Sequence, residues 1–184
     1  MSARAASAPY AYLPNALTIM RLALIPVFVA VLIPVEGGRS WLAAIIFGVA
    51  AISDQVDGWL ARRWRVESAF GKVADPLADR LMIAAAVILL VLVHQRLPWI
   101  ALAIIVARDA LLIGGYKLFM PRGYELSVNF LGKAATWLLY AALAFLMVTR
   151  AGTDWPLWIF WAGVALAVGA GVLYLWSGVK AVRR

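Results

Sequence analysis

Six apolar segments alternate with short polar stretches along the 184 residues of this chain. Each segment is about 18–24 residues long, which allows an α-helix to cross the hydrocarbon core of a bilayer with some tilt. The pattern therefore predicts an all-α fold, a polytopic membrane protein built as a six-transmembrane-helix bundle. The predicted spans are Leu13 to Val35, Trp41 to Trp64, Asp75 (or earlier, from Ala69) to Val93, Pro98 to Met120, Phe130 to Val148 and Trp155 to Gly178.

The composition supports this prediction, because 65% of the residues are hydrophobic and nine are Trp. The net charge of +8 is unevenly distributed along the chain: twelve of the seventeen Lys and Arg residues fall on one side of the predicted spans, three on the other and two within them. That asymmetry is typical of membrane topology, with the positive side inside, and does not indicate nucleic-acid binding. Both termini are therefore predicted to be cytoplasmic.

The whole chain, residues 1–184, is expected to form one membrane domain, in which residues 1–12 lie along the cytoplasmic interface. Cysteine is absent, which excludes disulfides and thiolate metal sites.

Four aspartates are grouped at the adjoining ends of the second and third spans. Asp54 and Asp57 are separated by three positions and Asp75 and Asp79 by four, so each pair lies on one face of its helix. A carboxylate beside the hydrocarbon layer costs about 3 kcal/mol on insertion scales, so each is expected to have a partner or a function.

The chemistry of these residues favours a hard cation. Four oxygen donors without nearby His or Cys suit Mg²⁺ or Mn²⁺ better than zinc, and they suffice for two ions that clamp a diphosphate. Arg62 would neutralise phosphate charge, while Gly58 and Gly71 would let a ligand approach the backbone. A carboxylate less engaged with metal would accept the proton of an attacking hydroxyl.

These residues fit the pattern D-x2-D-G-x2-A-R-x8-G-x3-D-x3-D without exception, and this resembles the signature of the CDP-alcohol phosphatidyltransferases. The opening Pro14-Asn15, Thr18 and Arg21 are similar to the first span of that family. The resemblance implies transfer of a phosphatidyl group from CDP-diacylglycerol to an alcohol, with release of CMP. It also implies a homodimer in the cell (inner) membrane, with the active site at the cytoplasmic face.

Carried over residue by residue, the resemblance assigns a role to each motif position. Asp79 would be the catalytic base. The carboxylates that bind Mg²⁺ or Mn²⁺, as two ions, would be Asp54, Asp57, Asp75 and Asp79. The CDP-lipid would be bound by Gly58, Ala61, Arg62 and Gly71.

The acceptor alcohol is expected to be bound by Arg108 and Lys133. Branches of the family that use glycerol 3-phosphate typically have Gly-Arg-Glu in the fourth span and Gly-Lys-x-Lys-Thr in the fifth. This chain has Ala-Arg-Asp and Gly-Lys-Ala-Ala-Thr instead, which is more similar to cardiolipin synthases. Loss of a lysine suits a phosphodiester, which carries less charge than a phosphomonoester. The main prediction is therefore phosphatidylglycerol as acceptor, and the alternative is glycerol 3-phosphate, as in a phosphatidylglycerophosphate synthase.

Simpler roles remain open for several of these side chains. In these alternatives Asp54 and Asp57 do no more than form ion pairs with neighbouring arginines. Arg108 forms a structural ion pair with Asp109, and Lys133 only determines the membrane topology. Arg21 would either extend to the interface or contact the diphosphate. Two other classes of function also remain, a cation- or proton-coupled transporter that uses the carboxylates and a non-enzymatic assembly protein.

Overall fold

The structure is a computed structural model that describes residues 13–64, 69–119 and 130–182. It describes the helical backbone alone for residues 13–15, 54, 55, 57–64, 69–76, 113, 115–119, 130, 174, 175 and 178–182. Within these ranges the fold is all-α, as predicted, and no β-strand occurs. The six helices are α1 (Leu13–Leu32), α2 (Trp41–Trp64), α3 (Ala69–Ile88), α4 (Trp99–Phe119), α5 (Phe130–Val148) and α6 (Trp155–Val182).

The predicted bounds are confirmed most closely where charged or turn residues follow an apolar run, as in α2 and α5. Helix α1 ends three residues earlier than predicted because Pro34 disfavours helical geometry at Ile33. Helix α3 takes the earlier of its two possible starts, Ala69, and continues as a π-helical turn over Leu89–Val93.

The helices pack around one apolar core. Helix α5 packs on α6 and α2, and α1 packs on α2 and α3. The largest fully buried apolar side chains come from five of the helices and the π-helical turn, and they are Phe28, Leu32, Phe47, Met82, Val87, Leu90, Leu143, Leu146, Met147 and Phe160.

The close contact of α5 with α6 depends on one small residue. A Cβ placed at Gly163 would lie 3.2 Å from the backbone nitrogen of Leu139, so the two helices approach closely there. At Gly169, on the same helix, such a Cβ would meet nothing within 4 Å. The abundance of small residues in α6 therefore reflects close packing at particular positions and not along the whole helix.

Three interhelical turns meet at one end of the bundle, which we name the turn end: residues 33–40, 94–98 and 149–154. Arg96 connects them, since its guanidinium donates to the carbonyl oxygens of Gly37 (3.2 Å), Thr149 (3.1 Å) and Arg150 (3.1 Å). Arg39 Nε also donates to the carbonyl oxygen of Val148 at 3.0 Å. Because the turns after α1, α3 and α5 lie together, successive helices run in alternating directions.

The outer surface of the bundle is apolar. Large hydrophobic side chains are exposed on every helix, among them Ile19, Ile45, Leu81, Val106, Trp137 and Trp158. In the part of the chain that the structure describes, two helices are long and apolar enough to cross a membrane, over Leu131–Val148 and Trp155–Leu173. Shorter apolar stretches occupy Ala16–Leu32 and Trp41–Ser53. Six helices are thus confirmed, while the crossing of a bilayer by all six stays a prediction.

Candidate active site

The four aspartates lie on two consecutive helices. Asp54 and Asp57 belong to α2, and Asp75 and Asp79 belong to α3. The two helices are in contact and only four residues connect them, so they run antiparallel side by side.

The positions of the aspartates along this helical hairpin correspond. Asp54 lies ten residues before the end of α2, and Asp79 lies ten residues after the start of α3. With a rise of 1.5 Å per residue, both are about 15 Å from the ends that the connection joins. By the same count Asp57 and Asp75 are each about 10 Å from those helix ends. The two pairs therefore occupy matching levels, which is the backbone arrangement that shared ions require.

Asp79 is the member of this group whose side chain the structure describes. Its Oδ1 accepts a hydrogen bond from the hydroxyl of Tyr140 on α5. The positive charges that act on this carboxylate belong to Arg21, Arg108 and Arg80. Asp79 thus lies where α1, α3, α4 and α5 bring charged or polar groups together.

A cavity of about 200 Å³, which we name the α3–α6 cavity, opens beside Asp79. Its polar lining residues are Asp79, Arg80, Arg108, Asp109 and Thr136. Its apolar lining residues are Ile83, Ile104, Ile105, Leu139, Val164, Ala167 and Val168. A polar region with two arginines beside an apolar wall suits a small anionic alcohol at the edge of a lipid environment.

Arg108 combines a structural contact with an unused donor. Its Nη1 lies 3.0 Å from Oδ1 of Asp109, and both side chains are 21% exposed. The expected ion pair therefore exists. Its Nε, however, is buried and has no hydrogen-bond partner among the described residues. Because a buried donor without a partner is costly, this atom favours an anionic ligand in the cavity.

The other acceptor residue predicted from sequence lies apart from this cavity. Lys133 on α5 is exposed and is not among the described residues that line the cavity. The structure therefore brings Asp79 and Arg108 together but does not add Lys133 to them. Arg21 is fully buried, so the alternative in which it extends to the interface is wrong.

The remaining motif positions are placed by backbone alone. Their side chains lie outside the described part of the structure, and they are Asp54, Asp57, Gly58, Ala61 and Arg62 on α2 with Gly71 and Asp75 on α3. Among the described side chains, no three His, Cys, Asp or Glu residues form a group that would hold a metal. The donor set itself, carboxylate oxygens on two adjacent helices, fits Mg²⁺ or Mn²⁺.

Sequence reasoning missed two polar residues of the site. Tyr140 stands in an apolar run of α5, 61 positions from the carboxylate that it contacts, so nothing local distinguishes it. Arg80 immediately follows the last aspartate of the motif, and the sequence pattern assigns it no role. Its adjacency to Asp79 was the signal available.

Known proteins that are similar in sequence to this chain belong to one family. Residues 11–169 match the sequence profile described as CDP-alcohol phosphatidyltransferase. Over 172 residues and 90% of each chain, the protein is 37% identical to the CDP-diacylglycerol–glycerol-3-phosphate 3-phosphatidyltransferase of Escherichia coli (strain K12) and to that of Shigella sonnei (strain Ss046). The protein with the same name from Salmonella typhimurium (strain LT2) is 36% identical over the same share.

The matched range contains both aspartate pairs and every residue that lines the α3–α6 cavity. The features that carry the resemblance and the site that the structure describes therefore belong to the same region, and the chain is a member of the CDP-alcohol phosphatidyltransferase family.

Proposed function

We propose that this protein transfers the phosphatidyl group of CDP-diacylglycerol to a hydroxyl of glycerol 3-phosphate, giving phosphatidylglycerophosphate and CMP. The observation that carries the proposal is the α3–α6 cavity, where a carboxylate of the family motif, Asp79, faces two arginines. Family membership favours this enzyme over the transporter and assembly-protein alternatives.

The choice of acceptor reverses the preference drawn from the sequence. Phosphatidylglycerol was favoured because the second lysine of the Gly-Lys-x-Lys-Thr pattern is replaced by Ala135. The relatives at 36–37% identity carry glycerol 3-phosphate in their names. Within the cavity, Arg80 supplies a second cation beside Arg108. Two arginines suit a phosphomonoester, whose charge is close to two, and so compensate for the missing lysine.

In this mechanism the acceptor phosphate binds Arg108 and Arg80, and the acceptor hydroxyl is directed toward Asp79. Asp79 takes the proton of that hydroxyl as its oxygen attacks the phosphorus that carries diacylglycerol. The bond from this phosphorus to the bridging oxygen breaks, and CMP leaves with the electron pair. Holding the two reactants in one orientation supplies much of the rate enhancement.

The carboxylates of α2 and α3 would hold Mg²⁺ or Mn²⁺, as two ions, and the ligands would be Asp54, Asp57, Asp75 and Asp79. When bound, a divalent ion would neutralise the diphosphate and polarise the bond that breaks. On the basis of the family motif, the CDP-lipid would lie against Gly58, Ala61, Arg62 and Gly71.

We place this site at the cytoplasmic face of the cell (inner) membrane, in a homodimer whose protomers each have six spans and both termini inside. The alternating helix directions and the asymmetry of Lys and Arg support this topology. The cysteine-free sequence allows a direct test with single cysteines and a membrane-impermeant maleimide. In intact cells Ala151→Cys at the turn end should be labelled, whereas Arg184→Cys should react only after lysis. The reverse pattern would contradict the orientation, and cross-linking in native membranes tests the dimer.

The activity is tested by offering labelled CDP-diacylglycerol with Mn²⁺ or Mg²⁺ and one acceptor at a time to the purified protein. Glycerol 3-phosphate should yield CMP and phosphatidylglycerophosphate. Asp79→Asn should release no CMP, while Asp154→Asn, an exposed acid at the turn end, should remain active. If phosphatidylglycerol alone yields a product, cardiolipin, then the proposed acceptor is wrong and the family assignment stands.

The acceptor residues are tested by steady-state kinetics. Hydrogen bonds to charged groups contribute about 1.5–3 kcal/mol, so Arg108→Gln and Arg80→Gln should each raise the KM for glycerol 3-phosphate about 10- to 100-fold. The KM for CDP-diacylglycerol should change little. Arg150→Gln, an exposed cation at the turn end, is the matched control. An equal rise in both KM values would place these arginines in the wrong subsite.

A further inference from the structure

Tyr140 connects the proposed catalytic carboxylate to the apolar core. Its side chain is 6% exposed, and its hydroxyl donates to Oδ1 of Asp79 across the interface of α5 with α3. Its ring packs on Phe47 of α2, with centroids 5.0 Å apart and planes tilted by 46°. Phe47 packs in turn on Phe28 of α1 at 5.6 Å, and both phenylalanines are fully buried.

This packing restricts the hydroxyl to one position. A tyrosine ring has few rotatable bonds, and here Phe47 packs on it within the core. The carboxylate that accepts its hydrogen bond is therefore oriented by a rigid donor, with one oxygen engaged. The other oxygen is left for the groups that enter the α3–α6 cavity, which Asp79 lines.

The same carboxylate has competing partners. Arg108 lines the cavity with it, and Arg108 Nε is buried without a partner among the described residues. The charges of Arg21 and Arg80 also act on Asp79. If the Asp79 carboxylate were free to rotate, it would form an ion pair with one of these arginines. The carboxylate could then no longer take a proton, and the arginine could no longer bind the phosphate of the acceptor alcohol.

We propose that Tyr140 is a positioning residue that fixes the orientation of Asp79 and prevents it from pairing with the arginines of the cavity. This inference rests on the proposed function, in which Asp79 takes the proton of the acceptor. Partners that orient a reactive or metal-binding side chain typically affect activity by about 10- to 100-fold when they are removed.

Tyr140→Phe tests this role because it removes the hydroxyl and keeps the ring that packs on Phe47. We expect kcat to fall about 10- to 100-fold. The KM for CDP-diacylglycerol should stay within about twofold. The protein should remain folded, since the packed ring is retained, although its unfolding temperature should fall because one hydrogen bond to a buried carboxylate is lost. Phe47→Leu is the comparison variant, because it loosens the packing of the ring but keeps the hydroxyl that donates to Asp79. Its activity, normalised to the folded fraction, should exceed that of Tyr140→Phe.

A second measurement separates positioning from a general loss of structure. Tyr140→Phe in the Asp79→Glu background should have little further effect on kcat, because the longer side chain no longer holds the geometry that the hydroxyl fixes. An equal fractional loss in both backgrounds would mean that Tyr140 acts independently of Asp79, and would overturn the inference.

The outcomes also separate this inference from the proposed function. An active wild type, an inactive Asp79→Asn and a fully active Tyr140→Phe would overturn the positioning role alone. A wild type that releases no CMP, or an Asp79→Asn variant with full activity, would instead overturn the proposed function.

Discussion

Two adjacent glycines in the turn between α1 and α2 provide a matched pair for testing the packing of the turn end. Gly37 and Gly38 have nearly the same left-handed backbone, with φ of 65° and 66°. A Cβ at Gly37 would meet nothing within 4 Å. A Cβ at Gly38 would lie 2.8 Å from Cγ of His94 and 2.9 Å from its Cβ. The two positions therefore share a backbone cost and differ in a steric one.

The expected losses of stability follow from this backbone cost and this steric cost. An alanine in the left-handed region costs about 1–2 kcal/mol relative to glycine, and both variants bear this cost. Overpacking adds about 1–3 kcal/mol at Gly38, since the atoms in contact are near the His94 backbone and cannot move aside freely. Gly38→Ala should therefore unfold at a lower temperature than Gly37→Ala. For a chain of this length each 1 kcal/mol corresponds to about 2–4 °C.

The measurement is thermal unfolding of both variants and the wild type in the same detergent, followed by the double variant Gly38→Ala with His94→Gly. The second substitution removes the Cβ and Cγ that an alanine would contact, so the additional loss at position 38 should largely disappear. Equal losses for the two single variants, or no recovery in the double variant, would refute the steric account of this turn.

Three further predictions concern stability. Arg96→Gln should lower the free energy of unfolding by about 1.5–3 kcal/mol, because it removes the guanidinium that joins three turns. Arg39→Gln loses a single exposed hydrogen bond and should cost about 0.5 kcal/mol or less. Denaturation of both variants in the same detergent checks this, and equal effects would contradict it. Burial lowers the pKa of His94 below its ordinary 6.5, aided by the charge of Arg96 and opposed by a hydrogen bond with the backbone of Leu32. The unfolded chain therefore binds a proton at His94 more readily than the folded chain does. The contribution of His94 to stability is complete above pH 6.5 and is lost as the pH falls below that value. A pH series of unfolding temperatures should show this trend, and His94→Gln should weaken it. Gly163→Ala should destabilise the contact of α5 with α6, while Gly169→Ala should not, and the same melting assay would contradict this by giving equal shifts.

The sequence predicted the helices well because a local signal determines them. An apolar run that ends in charged or turn residues specifies both a helix and its limits, and α2 and α5 match those limits. The aspartate motif was accessible for a similar reason, since fixed spacing on neighbouring helices needs no knowledge of packing. Which residues face one another is not a local property, however. The contact of Tyr140 with Asp79 depends on how α5 rotates against α3, and an apolar helix gives no sign of that rotation.

The cavity illustrates the same limit for specificity. Ala135 of α5 replaces the second lysine of the family pattern Gly-Lys-x-Lys-Thr. Taken alone, this replacement favours an acceptor of lower charge. The structure places Arg80 of α3 beside Arg108 of α4, so the cations that line one cavity come from separate parts of the chain. Under the proposed function, counting charges within a single helix therefore underestimates the positive charge available to the acceptor.

The turn end and the α3–α6 cavity use arginine differently, and this difference leads to a prediction for a whole panel of variants. At the turn end, Arg39 and Arg96 donate to main-chain carbonyls at or just beyond the end of α5, where unsatisfied carbonyls and the helix dipole favour a cation. These arginines stabilise the fold. Arg108, near the middle of α4, retains a buried donor without a partner among the described residues, which costs stability and favours a ligand. Turn-end substitutions should therefore lower unfolding temperature without changing kcat, and cavity substitutions should change kinetic constants without lowering the unfolding temperature. A turn-end variant that loses kcat while its unfolding temperature is preserved would show that the turn end and the cavity are coupled, and would contradict this separation.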